Sequence, residues 1–150
     1  MLDFFDVIAF VIFVTGVIAV IRIYVFQPFA VVGSSMVPTF HEDDFVIVDK
    51  ISQVKRGDVV VFVPHGQKLP YIKRVVGLPG DTVKLENGGV AICKTGEANS
   101  CQKYAEPYLP EGALTEARCG ITSFDVTTGG VFVLGDNRGF STDSRCCFGL

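Results

Sequence analysis

Hydrophobic and polar positions divide this chain near Pro28. Before it, residues 4–26 read FFDVIAFVIFVTGVIAVIRIYVF, with no charge between Asp6 and Arg22. Wound as a helix at about 1.5 Å per residue, the run is long enough for a hydrocarbon core of roughly 30 Å. A transmembrane helix is therefore predicted, with Asp6 and Arg22 at the two interfaces and Tyr24 at headgroup level. A cleavable secretion signal fits less well, because no basic residues precede the run and no small-x-small site ends it. A buried core helix also fits less well, since a helix apolar on every side needs more surrounding protein than a 150-residue chain supplies. Charge leaves the orientation open, because no Lys or Arg precedes the helix.

Beyond Pro28 the apolar period shortens. Runs rich in β-branched residues at 45–48, 59–63, 71–76, 82–85, 90–93 and 131–134 predict strands. Between them, Lys55-Arg56-Gly57-Asp58, Leu78-Pro79-Gly80-Asp81 and Glu86-Asn87-Gly88-Gly89 carry turn residues, the last as a hairpin signal. Residues 94–122 show little periodicity and several Pro, Gly and Glu, so they read as a surface excursion. The fold class expected is all-β and antiparallel, with an anchor over residues 1–27 and one β-rich domain over 28–150.

Composition adds three constraints. A hydrophobic fraction of 49% and a mean hydropathy of +0.42 point to lipid contact for part of the chain. A net charge of -3 supplies no basic field for nucleic acid, so no nucleic-acid partner is expected. The cysteines number 5, an odd set. Cys93 and Cys101 flank a polar stretch and either close a short disulfide loop outside the cytoplasm or stay as two thiols. Cys119, Cys146 and Cys147 show no metal-ligand spacing with His41 or His65, so no metal is expected.

The chemistry suggested by the remaining polar residues is nucleophilic. Gly33-Ser34-Ser35-Met36-Val37-Pro38-Thr39 offers hydroxyls, and a hydroxyl needs a neighbouring base. His41 lies in an acidic turn and His65 in a Pro-Gly loop, so both read as solvated. A lysine serves instead if burial lowers its ordinary pKa of about 10.4 by several units. Lys73 alternates with Tyr71 and Val75 on one face of its strand, opposite Ile72, Arg74 and Val76. Taken alone, Lys73 and Arg74 read more simply as a basic pair on an edge strand.

Three segments change that weighting. Ser35-Met36-Val37-Pro38-Thr39, the run Tyr71-Ile72-Lys73-Arg74-Val75-Val76-Gly77-Leu78-Pro79-Gly80-Asp81, and Gly135-Asp136-Asn137-Arg138 with Ser141-Thr142-Asp143-Ser144-Arg145 resemble, in order, the boxes of the type I signal peptidases. These are membrane-anchored serine endopeptidases with a Ser-Lys dyad. Residues 22–31, RIYVFQPFAV, resemble the family's passage from anchor to enzyme. The resemblance implies Ser35 as nucleophile, Lys73 as general base and Ser141 as the hydroxyl that hydrogen-bonds and orients Lys73. It further implies the Ser35 N–H as oxyanion donor. Gly33 stands where some members place a second, hydroxyl donor. Arg74, Asp136, Asp143 and Arg145 match structural ion pairs, and Val31, Phe40 and Ile72 match positions lining the substrate pockets.

By the same resemblance the partners are signal peptides of exported preproteins, cut after a small-x-small motif, and the lipid bilayer; no cofactor is called for. The catalytic domain is expected on the extracytoplasmic side of the cell membrane. Residues 146–150 match the start of the family's closing strand, so the domain is expected to be truncated there. Two other readings stand beside this one. The first is a Ser-Lys peptidase with a dedicated substrate, in pilus maturation or self-cleavage, and the second is a non-catalytic anchored domain that binds extended peptides.

Overall fold

The structure, a computed structural model, describes residues 3–94 and 100–146. It divides into two compact units, one of residues Met1–Ala30 with Phe45–Gln53 and one of Val31–Asp44 with Val54–Leu150.

The first unit is built on helix α1 (Phe4–Tyr24), none of whose residues is buried. Its N-terminal N–H groups find local acceptors: Asp6 and Val7 donate to the Asp3 carbonyl, and Asp3 N–H donates to the Asp6 carboxylate. Thr15, the polar residue mid-helix, donates its hydroxyl to the Val11 carbonyl 2.7 Å away, so that donor is satisfied within the helix itself. The helix ends at Tyr24, two residues short of the end of the apolar run at Phe26, because Phe26 opens strand β1 (Phe26–Ala30). That strand pairs antiparallel with β2 (Phe45–Asp49), placing Pro28 opposite Ile47. A proline is tolerated in so small a ribbon because it has an open edge. Lys50 closes the unit, its Nζ donating to Ile23 O and its N–H to Val25 O at the helix C-terminus.

The second unit holds two antiparallel sheets. One has the order β3 (Val59–Phe62), β4 (Tyr71–Gly77), β9 (Phe132–Leu134). The other runs β7 (Gln102–Lys103), β6 (Gly89–Lys94), β5 (Asp81–Glu86), β8 (Ser123–Asp125). Val76, Val83, Leu85, Val90, Phe124, Val126, Phe132 and Leu134 come from both sheets and form one buried cluster. Each such side chain contributes about 1.5–3 kcal/mol by leaving water. The β5–β6 hairpin turns on Asn87 (φ 50) and Gly88 (φ 72), the left-handed pair that an Asn-Gly hairpin requires. Asp81, wholly buried where β5 begins, is neutralised by Arg56 and Lys94 and accepts the Leu78 N–H.

Among the described residues the fold is all-β beside one N-terminal apolar helix, as the hydrophobic pattern predicts. Two expectations need correction. Residues 94–122 are not wholly a surface excursion: Thr115 is buried, Tyr104 packs on the core cluster, and β7 lies among them. Lys73 and Arg74 are not on an edge strand, because β4 lies between β3 and β9. A disulfide joins Cys93 to Cys101 and a second joins Cys119 to Cys146. Cys147 and the rest of the expected closing strand lie outside the described residues.

Candidate active site

Ser35 sits on a loop whose base is closed by two main-chain bonds, Val31 N–H to Asp44 O and Asp43 N–H to Val31 O. Met36, beside it, is fully buried and pins the loop to the unit. From β4, Lys73 brings its Nζ to 2.7 Å from Ser35 Oγ and 2.8 Å from Ile72 O. A neutral amine fits both contacts, because it has one lone pair to accept the serine proton and N–H groups to donate to the carbonyl.

Burial makes that neutral form accessible. Lys73 is 2% exposed, and desolvation pulls its pKa down to about 8 against the opposing pull of Asp143 and Asp136. Each of those carboxylates is already matched by an arginine fork. Arg74 donates from Nε to Asp136 Oδ1 at 2.8 Å and from Nη2 to Oδ2 at 2.6 Å, while the ring of Tyr108 covers its guanidinium at 4.0 Å. Arg145 donates to both Asp143 oxygens at 2.8 and 2.9 Å. Burial alone would raise the Asp143 carboxyl, but Arg145, the Gly135 N–H and the nearby Ser141 hydroxyl outweigh it and hold the group below its usual range. The acids near Lys73 are thus spent on arginines, and desolvation wins.

Other expected residues fall as follows. Ser141 is buried; its hydroxyl lies near enough to Asp143 to help lower that carboxyl, but it makes no hydrogen bond to Lys73, so the expected bond is not made. Its side chain packs against Gly135 instead, where a Cβ would meet Ser141 Oγ, Ser141 Cβ and the Ser35 carbonyl at 2.1, 2.4 and 2.6 Å. Val31 and Ile72 are buried and Phe40 is half-buried. Ile72 pairs with Val61 of β3, whereas the pairing of β9 with β4 begins only at Arg74. Gly33 has φ +82 and open space around its Cα. His41 and His65 are exposed.

Several residues join the site without having been singled out as site residues. Asn137 donates its N–H to Ser35 O and its Nδ2 to Ser34 O, both at 3.0 Å, so the polar loop grips the nucleophile segment directly. Thr39 donates its hydroxyl to Asp136. Arg138 is held by Glu106 and Thr115, which lie in the aperiodic stretch and carry no local signal.

The family model described as "Signal peptidase, peptidase S26" matches residues 4–150. Signal peptidase I T of Bacillus subtilis (strain 168) is 36% identical over 140 residues, spanning 87% of this chain and 69% of the relative. Signal peptidase I U of the same strain is 34% identical over 149 residues, 93% of this chain and 76% of the relative. The signal peptidase I of Bacillus caldolyticus is 38% identical over 141 residues, 86% and 74% of the two chains. Among solved structures, a signal peptidase I from Enterococcus faecalis V583 aligns with a TM-score of 0.46 at 28% identity, over 63% of this chain and 86% of that one. The match along nearly the whole chain and these relatives place the protein in the signal peptidase family, peptidase S26, as a serine endopeptidase.

Proposed function

We propose that this protein removes signal peptides from exported preproteins by cutting after a small-x-small motif, with Ser35 as nucleophile and Lys73 as general base. The observation that carries the reading is the 2.7 Å approach of a buried lysine amine to a serine hydroxyl. Lys73 takes the Ser35 proton as Oγ attacks the scissile carbonyl carbon, and the Ser35 N–H faces the oxygen where negative charge develops. Collapse of the tetrahedral intermediate breaks the peptide bond, with the proton passing from Lys73 to the leaving amine. Water, deprotonated by the now neutral Lys73 amine, then hydrolyses the acyl ester and frees Ser35. Arg74, Asp136, Asp143 and Arg145 hold the surroundings without moving protons, and Ser141, packed against Gly135, borders the pair without a hydrogen bond to Lys73. No step uses a metal or cofactor.

The substrate lies extended along β4 near Ile72, where β9 does not reach, with its small side chains directed to Val31, Phe40 and Ile72. Residues 1–27 anchor the chain in the cell membrane through α1, and residues 28–150 work on the extracytoplasmic side, where signal peptides emerge.

Two measurements bear on this. The first is the pH profile. Because only the neutral amine accepts a proton, kcat/KM is expected to climb about tenfold per pH unit below the Lys73 pKa of about 8 and level off above it. A flat profile across that range would assign the base elsewhere. The second is substrate choice in detergent. An exported preprotein with an Ala-x-Ala site is expected to be cut directly after it, and replacement of the last Ala by Phe to stop cleavage. A protein that leaves the Ala-x-Ala preprotein uncut would count for a dedicated processor or a non-catalytic peptide binder.

A further inference from the structure

Residues 116–120 belong to the aperiodic stretch, yet they are fastened to the loop of residues 135–146 at several points. Arg118 donates from Nη1 to Ser141 O at 2.8 Å and from Nη2 to Gly139 O at 2.6 Å and Arg138 O at 3.4 Å. The Glu116 carbonyl accepts Arg145 Nη1 at 3.2 Å. Next to Arg118, Cys119 is joined covalently to Cys146. Cys119 (φ 56) and Gly120 (φ 73) form a tight left-handed turn, closed by Ile121 N–H to Arg118 O. Asn or Gly is the ordinary occupant of the first such position, and the disulfide accounts for a cysteine there.

The three carbonyls that Arg118 collects, those of Arg138, Gly139 and Ser141, belong to an irregular loop outside any strand or helix. A guanidinium, with five N–H donors in a fixed fork, holds such carbonyls at one point. The same loop grips the nucleophile segment, through Asn137 to Ser34 O and Ser35 O, and places Ser141 against Gly135. We propose that Arg118, fastened by the Cys119–Cys146 disulfide, is a positioning residue that holds the loop of residues 135–141, and through it Ser35 and Ser141, in the geometry the reaction needs. The proposal rests on the reading of Ser35 and Lys73 given above.

The test compares the full chain in detergent with Arg118→Ala, Arg118→Lys, Cys119→Ser and Ser35→Ala, following kcat and KM on the preprotein together with thermal unfolding. Arg118→Ala is expected to lower kcat by on the order of 10- to 100-fold with KM changed less than about twofold, the mark of a displaced reacting group. Arg118→Lys recovers part of the loss, since an ammonium reaches fewer of the carbonyls. Cys119→Ser lowers kcat in the same sense, and a variant combining Arg118→Ala with Cys119→Ser loses less than the product of the two losses because both hold one element. Wild-type kcat in Arg118→Ala, a rise in KM alone, or a loss of kcat no larger than the loss of folded protein overturns the proposal. If Arg118→Ala does not fold, Arg118→Lys and Cys119→Ser are read by the same criteria. A Ser35→Ala protein that still cuts preprotein defeats the dyad itself; an inactive Ser35→Ala beside a fully active Arg118→Ala defeats only the positioning role.

Discussion

Lys73→Met is expected to lower kcat/KM on the preprotein by on the order of 10³- to 10⁴-fold while the protein stays folded. Methionine keeps an unbranched stem of similar volume in a site that is 2% exposed, so the packing around β4 survives the change. The electrostatics survive as well, because Asp136 and Asp143 keep their own arginines and no buried carboxylate is stranded. What disappears is the acceptor for the Ser35 proton. Ser35→Ala removes the other half of the pair, and the double variant is expected to be no slower than either single one, since the two groups act as a unit. Initial rates and unfolding temperatures on the same preparations decide it. Activity within tenfold of wild type in Lys73→Met would assign the general base to another group.

The second large effect is expected from Gly135→Ala. The added methyl would fall 2.1 Å from Ser141 Oγ, 2.4 Å from Ser141 Cβ and 2.6 Å from the Ser35 carbonyl. A hydroxyl can rotate away, but a Cβ and a main-chain oxygen can move only with their segments. The loop and the nucleophile must therefore separate by on the order of 1 Å, enough to cost about 100-fold in rate. Gly89→Ala provides the comparison, because its methyl would meet nothing closer than 3.8 Å, and wild-type kcat and unfolding temperature are expected there. Wild-type kcat in Gly135→Ala would mean that close packing between Ser141 and the Ser35 segment plays no part in the reaction.

Much of the architecture is legible along the chain because it depends on local periods. The apolar run gives α1, and β-branched alternation gives β2 to β6 and β9 to within a residue or two. The Asn87-Gly88 hairpin follows from turn chemistry alone. The three missed strands have weak signals of their own. β1 continues the apolar run of the helix and contains Pro28, while β7 and β8 are 2 and 3 residues long and form against the edges of β6 and β5.

The candidate site is legible only as separate boxes. Ser35 and Lys73 lie 38 positions apart, and no periodicity specifies that their side chains meet. Glu106, Tyr108, Thr115 and Arg118 have no pattern at all, because each acts by reaching across space to Arg74, Arg138 or a loop carbonyl.

By itself the sequence determined the helix, most strands and the turns between them, since these depend on φ/ψ preferences and on which residues alternate toward water. Only the tertiary structure decided how far each lysine is cut off from water. Lys94, also on a strand, keeps its side chain 69% exposed and pairs with Asp81. Lys73 lies on a central strand among carboxylates already paired with arginines, so loss of water governs its proton. Desolvation is a property of everything packed around a group, and no stretch of sequence contains it.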